Sequence, residues 1–77
     1  MMMGRLPSCT AHDVDCVLSR QGFIVTHQRG SHRYYKSPIT GKIVTSIPMH
    51  PGDLNRSLLK EILKQVGMSE EEFRRLL

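Results

Sequence analysis

Three short runs rich in β-branched and aromatic residues, each closed by a turn, decide most of what this chain can fold into. They span residues 23–29, 32–37 and 42–47. Gly30-Ser31 separates the first two, and Pro38-Ile39-Thr40-Gly41 the second pair. Connections this short are hairpin loops, so the three runs form an antiparallel sheet. Each end of the sheet is followed or preceded by a segment with helical spacing. The predicted order is α-β-β-β-α with a short extra helix at the C-terminus, a two-layer α+β domain with both main helices on one face of a three-stranded sheet.

The helical segments carry their own start and stop signals. Thr10-x-x-Asp13 reads as a capping box, and Ala11, Val14, Val17 and Leu18 follow the helical period up to Gly22. Asp53 or Asn55 is positioned to cap the second helix. Leu58, Leu59, Ile62, Leu63 and Val66 give it a clean apolar stripe, with Arg56, Lys60 and Lys64 opposite and Gly67 at its end. Ser69 and Glu72 form a second capping box before a last turn that should carry Phe73, Leu76 and Leu77 inward. In the middle strand, His32, Tyr34 and Lys36 fall on one face and Arg33 and Tyr35 on the other. At least one of the two tyrosines belongs in the core. In the third strand both parities contain apolar residues, Ile43 and Ile47 against Val44, so its inward face stays open.

At 77 residues there is room for one domain, predicted over residues 10–77, with residues 1–9 as a flexible tail. The N-terminus lacks the apolar middle of a signal peptide, and no apolar run reaches membrane-spanning length, so a cytoplasmic protein is expected. Cys9 and Cys16 are too far apart along a helix for a disulfide. With His12 they make at most three ligands, a poor zinc pattern, and no cofactor or metal is expected.

Charge is where function enters. The net charge is +4, but residues 20–60 hold seven cations against Asp53 alone, a local +6, while the acids gather at both ends. A basic middle suggests a polyanion partner, with nucleic acid the usual one; the plain alternative is a soluble surface that happens to be basic. Gly30-Ser31-His32-Arg33-Tyr34-Tyr35-Lys36 concentrates a tight turn, an imidazole, two cations and two of the four aromatic residues. The chain shows no Gly-rich phosphate loop and no carboxylate pair in its basic middle. What remains is proton transfer by histidine beside cations, which suffices for RNA cleavage. The ribose 2′-OH is the nucleophile, and a histidine moves its proton or protonates the leaving oxygen, worth about 10²–10⁴-fold. Of His12, His27, His32 and His50, His32 stands out by its place after Gly30-Ser31 and beside Arg33 and Lys36.

Gly22-Phe23, Gly30-Ser31-His32 with Tyr35 following, Pro48-x-His50, Leu54 and the leucine-rich helix ending at Gly67 together resemble the HicA toxin family, also called YcfA-like. The resemblance runs from about Thr10 to Leu77. It implies a double-stranded-RNA-binding-domain-like fold and an mRNA interferase, a metal-independent endoribonuclease of a type II toxin–antitoxin pair. It also implies His32 as the functional histidine, neutralised by a HicB-type antitoxin, with His50 as a supporting or RNA-contacting residue. On this reading Gly30 and Ser31 offer backbone N–H groups to a phosphate. Arg29, Arg33, Lys36 and Lys60 hold single-stranded RNA or mRNA, and Tyr34 or Tyr35 stacks on a base. The segment between Pro38 and Pro48 is slightly longer than the family's usual length, implying a bulge or a longer loop. The alternative is a module of the same fold that binds RNA or protein without cleaving.

Overall fold

The chain is described by a computed structural model covering residues 6–77. The elements are α1 (Ala11–Arg20), β1 (Ile24–Arg29), β2 (His32–Lys36), β3 (Ile43–Pro48), α2 (Arg56–Val66) and α3 (Glu70–Leu76). The strands form one antiparallel sheet in the order β1-β2-β3, a meander, as the hairpin loops require. This is the α+β, double-stranded-RNA-binding-domain-like arrangement expected from the sequence.

Local chemistry explains the helix ends. Thr10 caps α1 with a complete capping box: its hydroxyl accepts from Asp13 N–H at 3.1 Å, and Asp13 Oδ2 accepts from Thr10 N–H at 2.9 Å. At the other end the cap is Gln21, one residue before the expected Gly22. Phe23 N–H then reaches back to Leu18 O at 3.0 Å and Gly22 N–H to Ser19 O at 3.1 Å, satisfying the last carbonyls. Asn55, not Asp53, caps α2, accepting from Ser57 N–H at 2.8 Å. Ser69 caps α3 through Glu72 N–H at 3.0 Å. Phe73 is buried and Leu76 half-buried, but Leu77 is exposed at the chain end, so it does not join the core as expected.

The core lies between the sheet and the helices. Val14, Val17 and Leu18 of α1, Leu59, Ile62 and Leu63 of α2, and Phe73 of α3 pack with Tyr35 and Ile47 of the sheet. Leu6 and Cys9 are buried in the same cluster. Residues 6–9 therefore belong to the domain, a correction to the tail expected over 1–9; residues 1–5 of that tail lie outside the described residues. The segment is held by Leu54 N–H donating to Cys9 O at 2.8 Å and by a bridge between Thr10 and Asp53.

Two bulges set which side chains face which layer. Val25 pairs with Tyr35 and His27 with Tyr34, leaving Thr26 as an extra residue in β1. Tyr35 pairs with Thr45 and Lys36 with Ile43, leaving Val44 extra in β3. Residues directly opposite in a sheet share a face. The second bulge therefore turns Thr45 and Ile47 toward the helices with Tyr35, and Ile43 to the open side with Lys36. This settles the third strand's parity through a bulge. Thr45 Oγ1 donates to Gln65 Oε1 on α2 at 2.6 Å, satisfying the buried hydroxyl.

Candidate functional site

The open face of the sheet can be read as three rows running across the strands. Arg29, His32 and Pro48 form one row; His27, Tyr34 and Ser46 the next; Ile24, Lys36 and Ile43 the last. No aspartate or glutamate stands in any of them. His27, Arg29 and His32 are exposed, and Tyr34, Lys36 and Ser46 are half-buried. Among the described residues no helix of the chain covers this face.

His32 opens β2, directly after the two-residue turn Gly30-Ser31. Gly30 takes φ of 59° while Ser31 stays at negative φ, the pattern of the hairpin turn that wants glycine first. The turn is fixed to the end of β3. Met49 N–H donates to Ser31 O at 2.7 Å, and Ser31 Oγ lies 3.4 Å from His50 Nε2. The loop that carries His50 is tied at its far end through Thr10–Asp53 and Leu54–Cys9. The two motifs Gly30-Ser31-His32 and Pro48-x-His50, far apart in the chain, thus meet at one end of the sheet. The turn also receives Gln28 Nε2, which donates to Gly30 O at 3.1 Å.

The other residues expected at the site divide between the layers. Arg29 sits across from His32 on the open face, and Lys36 two residues beyond Tyr34 on the same face. Arg33 faces the helices instead. Its Nη1 lies 3.5 Å from Asp15 Oδ1 of α1, and its Nε donates to Gln28 Oε1 at 3.1 Å. Lys60 lines a groove of about 280 Å³ with Leu6, Arg56 and Glu70, in the helical layer. The structure does not bring Arg33 or Lys60 onto the face that carries His32.

Tyr35 is fully buried, and its hydroxyl donates to Asp15 Oδ1. Burial pushes its phenol well above the ordinary 10.0, the hydrogen bond to Asp15 and that residue's charge push further, and Arg33 opposes them. Asp15, Tyr35 and Arg33 together fasten the central strand to α1. None of these links shows in the sequence pattern, because Asp15 and Tyr35 are 20 residues apart.

The open-face tyrosine is Tyr34, and its ring stacks on His27 with centroids 4.5 Å apart and planes within 6°. His27 is not marked by the sequence. It reaches this face only because Thr26 is bulged, and the Thr26 hydroxyl lies 2.9 Å from His27 Nδ1. Away from the sheet, His12 Nε2 lies 3.5 Å from Cys16 Sγ, while Cys9 precedes the helix and is buried. Burial raises the Cys9 thiol pKa, with the charges of Asp13 and Asp53 adding to it. No three His, Cys, Asp or Glu side chains gather at metal-binding range among the described residues. Nor is any helix among them long and apolar enough to cross a membrane.

A search of curated proteins finds no match. Among protein families, the model described as the HicA toxin of bacterial toxin–antitoxin systems matches residues 11–68. That stretch holds all three strands, α1, α2 and both histidine motifs, and so most of the 77 residues. The chain belongs to the HicA toxin family.

Proposed function

We propose that this toxin is an mRNA interferase, an endoribonuclease that cleaves single-stranded RNA with His32 as its proton-transfer group. The observation that carries the reading is the placement of His32: exposed, on an acid-free sheet face, beside Arg29, at the mouth of a turn tied to His50. In the step we propose, the ribose 2′-oxygen attacks the adjacent phosphorus and gives up its proton, and the bond to the 5′-oxygen breaks as that oxygen takes a proton. The products are a 2′,3′-cyclic phosphate and a 5′-hydroxyl, with no net gain or loss of protons. His32 moves one of these protons. On this reading the backbone N–H groups of the turn at Gly30 and Ser31 are offered to the phosphate as its charge grows, and such groups stabilise it most when held in advance.

Arg29 and Lys36 hold the RNA backbone, and His50 contacts RNA or orients Ser31. Arg33 and Lys60 are left out of this set, since one is engaged with Asp15 and the other lies in the helical layer. A HicB-type antitoxin would neutralise the toxin by covering His32. Ile24 and Ile43, each about half exposed on either side of Lys36, suit a partner protein's surface. They also favour a second reading, a module that binds RNA or protein without cleaving. Incubation of purified protein with single-stranded RNA in the presence of a metal chelator separates the two. Cleavage that disappears in His32→Ala supports the nuclease, and salt-sensitive binding without products supports the module.

A further inference from the structure

We infer that the His27–Tyr34 pair is a stacking platform for one unpaired base of the RNA, one row along the sheet from His32. The inference rests on the ribonuclease reading for its substrate, and the geometry supplies the rest. The two rings lie parallel at 4.5 Å, close to the spacing between neighbouring strands. They therefore stand upright on the sheet, face to face across β1 and β2. One face of Tyr34 is taken by His27. The opposite face looks toward β3, where the directly paired residue is Ser46. A serine is short, so it leaves a slot over the sheet with an aromatic wall on one side.

Position and charge make that slot suit an unpaired nucleobase. His32 and Lys36 lie one row to either side of Tyr34, each about 6.8 Å away along the strand, the scale of one extended nucleotide. A strand of RNA following β2 would put a base against Tyr34 with its flanking phosphates toward Lys36 and toward His32 with Arg29. The absence of any acid from the three rows favours a polyanion over an acidic-rimmed protein surface. The Thr26 bulge makes the arrangement: in plain register Thr26 would face Tyr34, and His27 would point toward the helices with Arg33. Bulges that re-aim side chains concentrate beside active sites.

The test uses a short single-stranded oligonucleotide, 2′-O-methylated so that it cannot be cleaved, with one 2-aminopurine placed at each position in turn. Stacking quenches this base. The intact protein should quench one position strongly, and Tyr34→Phe should do the same. Tyr34→Ala should lose that quench and bind about 5- to 150-fold more weakly, the range for losing one base–aromatic stack. His32→Ala should quench like the intact protein while failing to cleave unmodified RNA. Equal quenching and affinity in Tyr34→Ala overturns the platform, and leaves the nuclease reading standing if His32→Ala is inactive. Quenching by an intact protein that never cleaves RNA keeps the platform and sinks the nuclease. No binding at all, with a dimer that Tyr34→Ala dissociates, makes this face a self-association surface and overturns the platform.

Discussion

Tyr34 and Tyr35 are neighbours with opposite fates, and the difference is decided by the pleat. Consecutive strand residues must face opposite sides, so only one can join the core. Tyr35 does so at the cost of burying a hydroxyl, which Asp15 accepts. Tyr35→Phe leaves Asp15 with Arg33 alone and should cost about 1–3 kcal/mol of stability, read by urea unfolding. The pH dependence has a definite sign. The folded phenol holds its proton more tightly than the unfolded one, whose ordinary value is 10.0. The stabilisation is thus complete below that value and is lost as pH rises above it toward the folded value. The gap in unfolding free energy between the intact protein and Tyr35→Phe should shrink from about pH 8 to about pH 11; a constant gap contradicts this. For His50 the expectation is kinetic. His50→Ala should cleave RNA more slowly without loss of stability, because the ring is exposed and meets Ser31 at the surface.

At the scale of elements, much was legible in advance. The N-cap residues, the apolar stripes and the hairpin turns use local rules, and they mark every helix and strand within a residue or two, although of the two expected capping boxes only Thr10 with Asp13 shows both bonds. The bulge at Thr26 was not legible, and for the segment between Pro38 and Pro48 a bulge stood open beside a longer loop, since an extra residue in a strand has no composition of its own. The two bulges decide the parity of β3 and bring His27 to Tyr34, so the layer each side chain joins could not be read. The links that fix the turn at the site and hold the sheet to the helices are also distant in sequence: Ser31 to His50 spans 19 residues and Thr45 to Gln65 spans 20. Periodicity carries no information at that range. The turn before His32 gives a test. A Cβ added at Gly30 or at Gly67 meets nothing within 4 Å, yet both residues take positive φ. Gly30→Ala and Gly67→Ala should each cost about 1–2 kcal/mol for the same backbone reason. Only Gly30→Ala should also depress RNA cleavage at temperatures where both variants are folded. Equal activity of the two would remove the turn from the mechanism.

The whole molecule is two-sided. One side is a helical layer with the core beneath it, and the other is an open sheet face with cations and no acids. RNA bound there should show the salt dependence of released counterions, with a log–log slope of about −0.7 for each phosphate contacted on a single strand. Arg29→Ala and Lys36→Ala should each make that slope shallower by about 0.7, while Lys60→Ala, in the helical layer, should leave it unchanged. The central claim is that His32 takes the proton from the ribose 2′-oxygen or gives one to the leaving 5′-oxygen. The most direct measurement is the rate of cleavage of single-stranded RNA, with chelator present, by the intact protein and by His32→Ala. The prediction is cyclic-phosphate and 5′-hydroxyl ends from the intact protein and a rate at least about 10²-fold lower from the variant. A variant that cleaves as fast as the intact protein, leaving the same ends, would contradict the account.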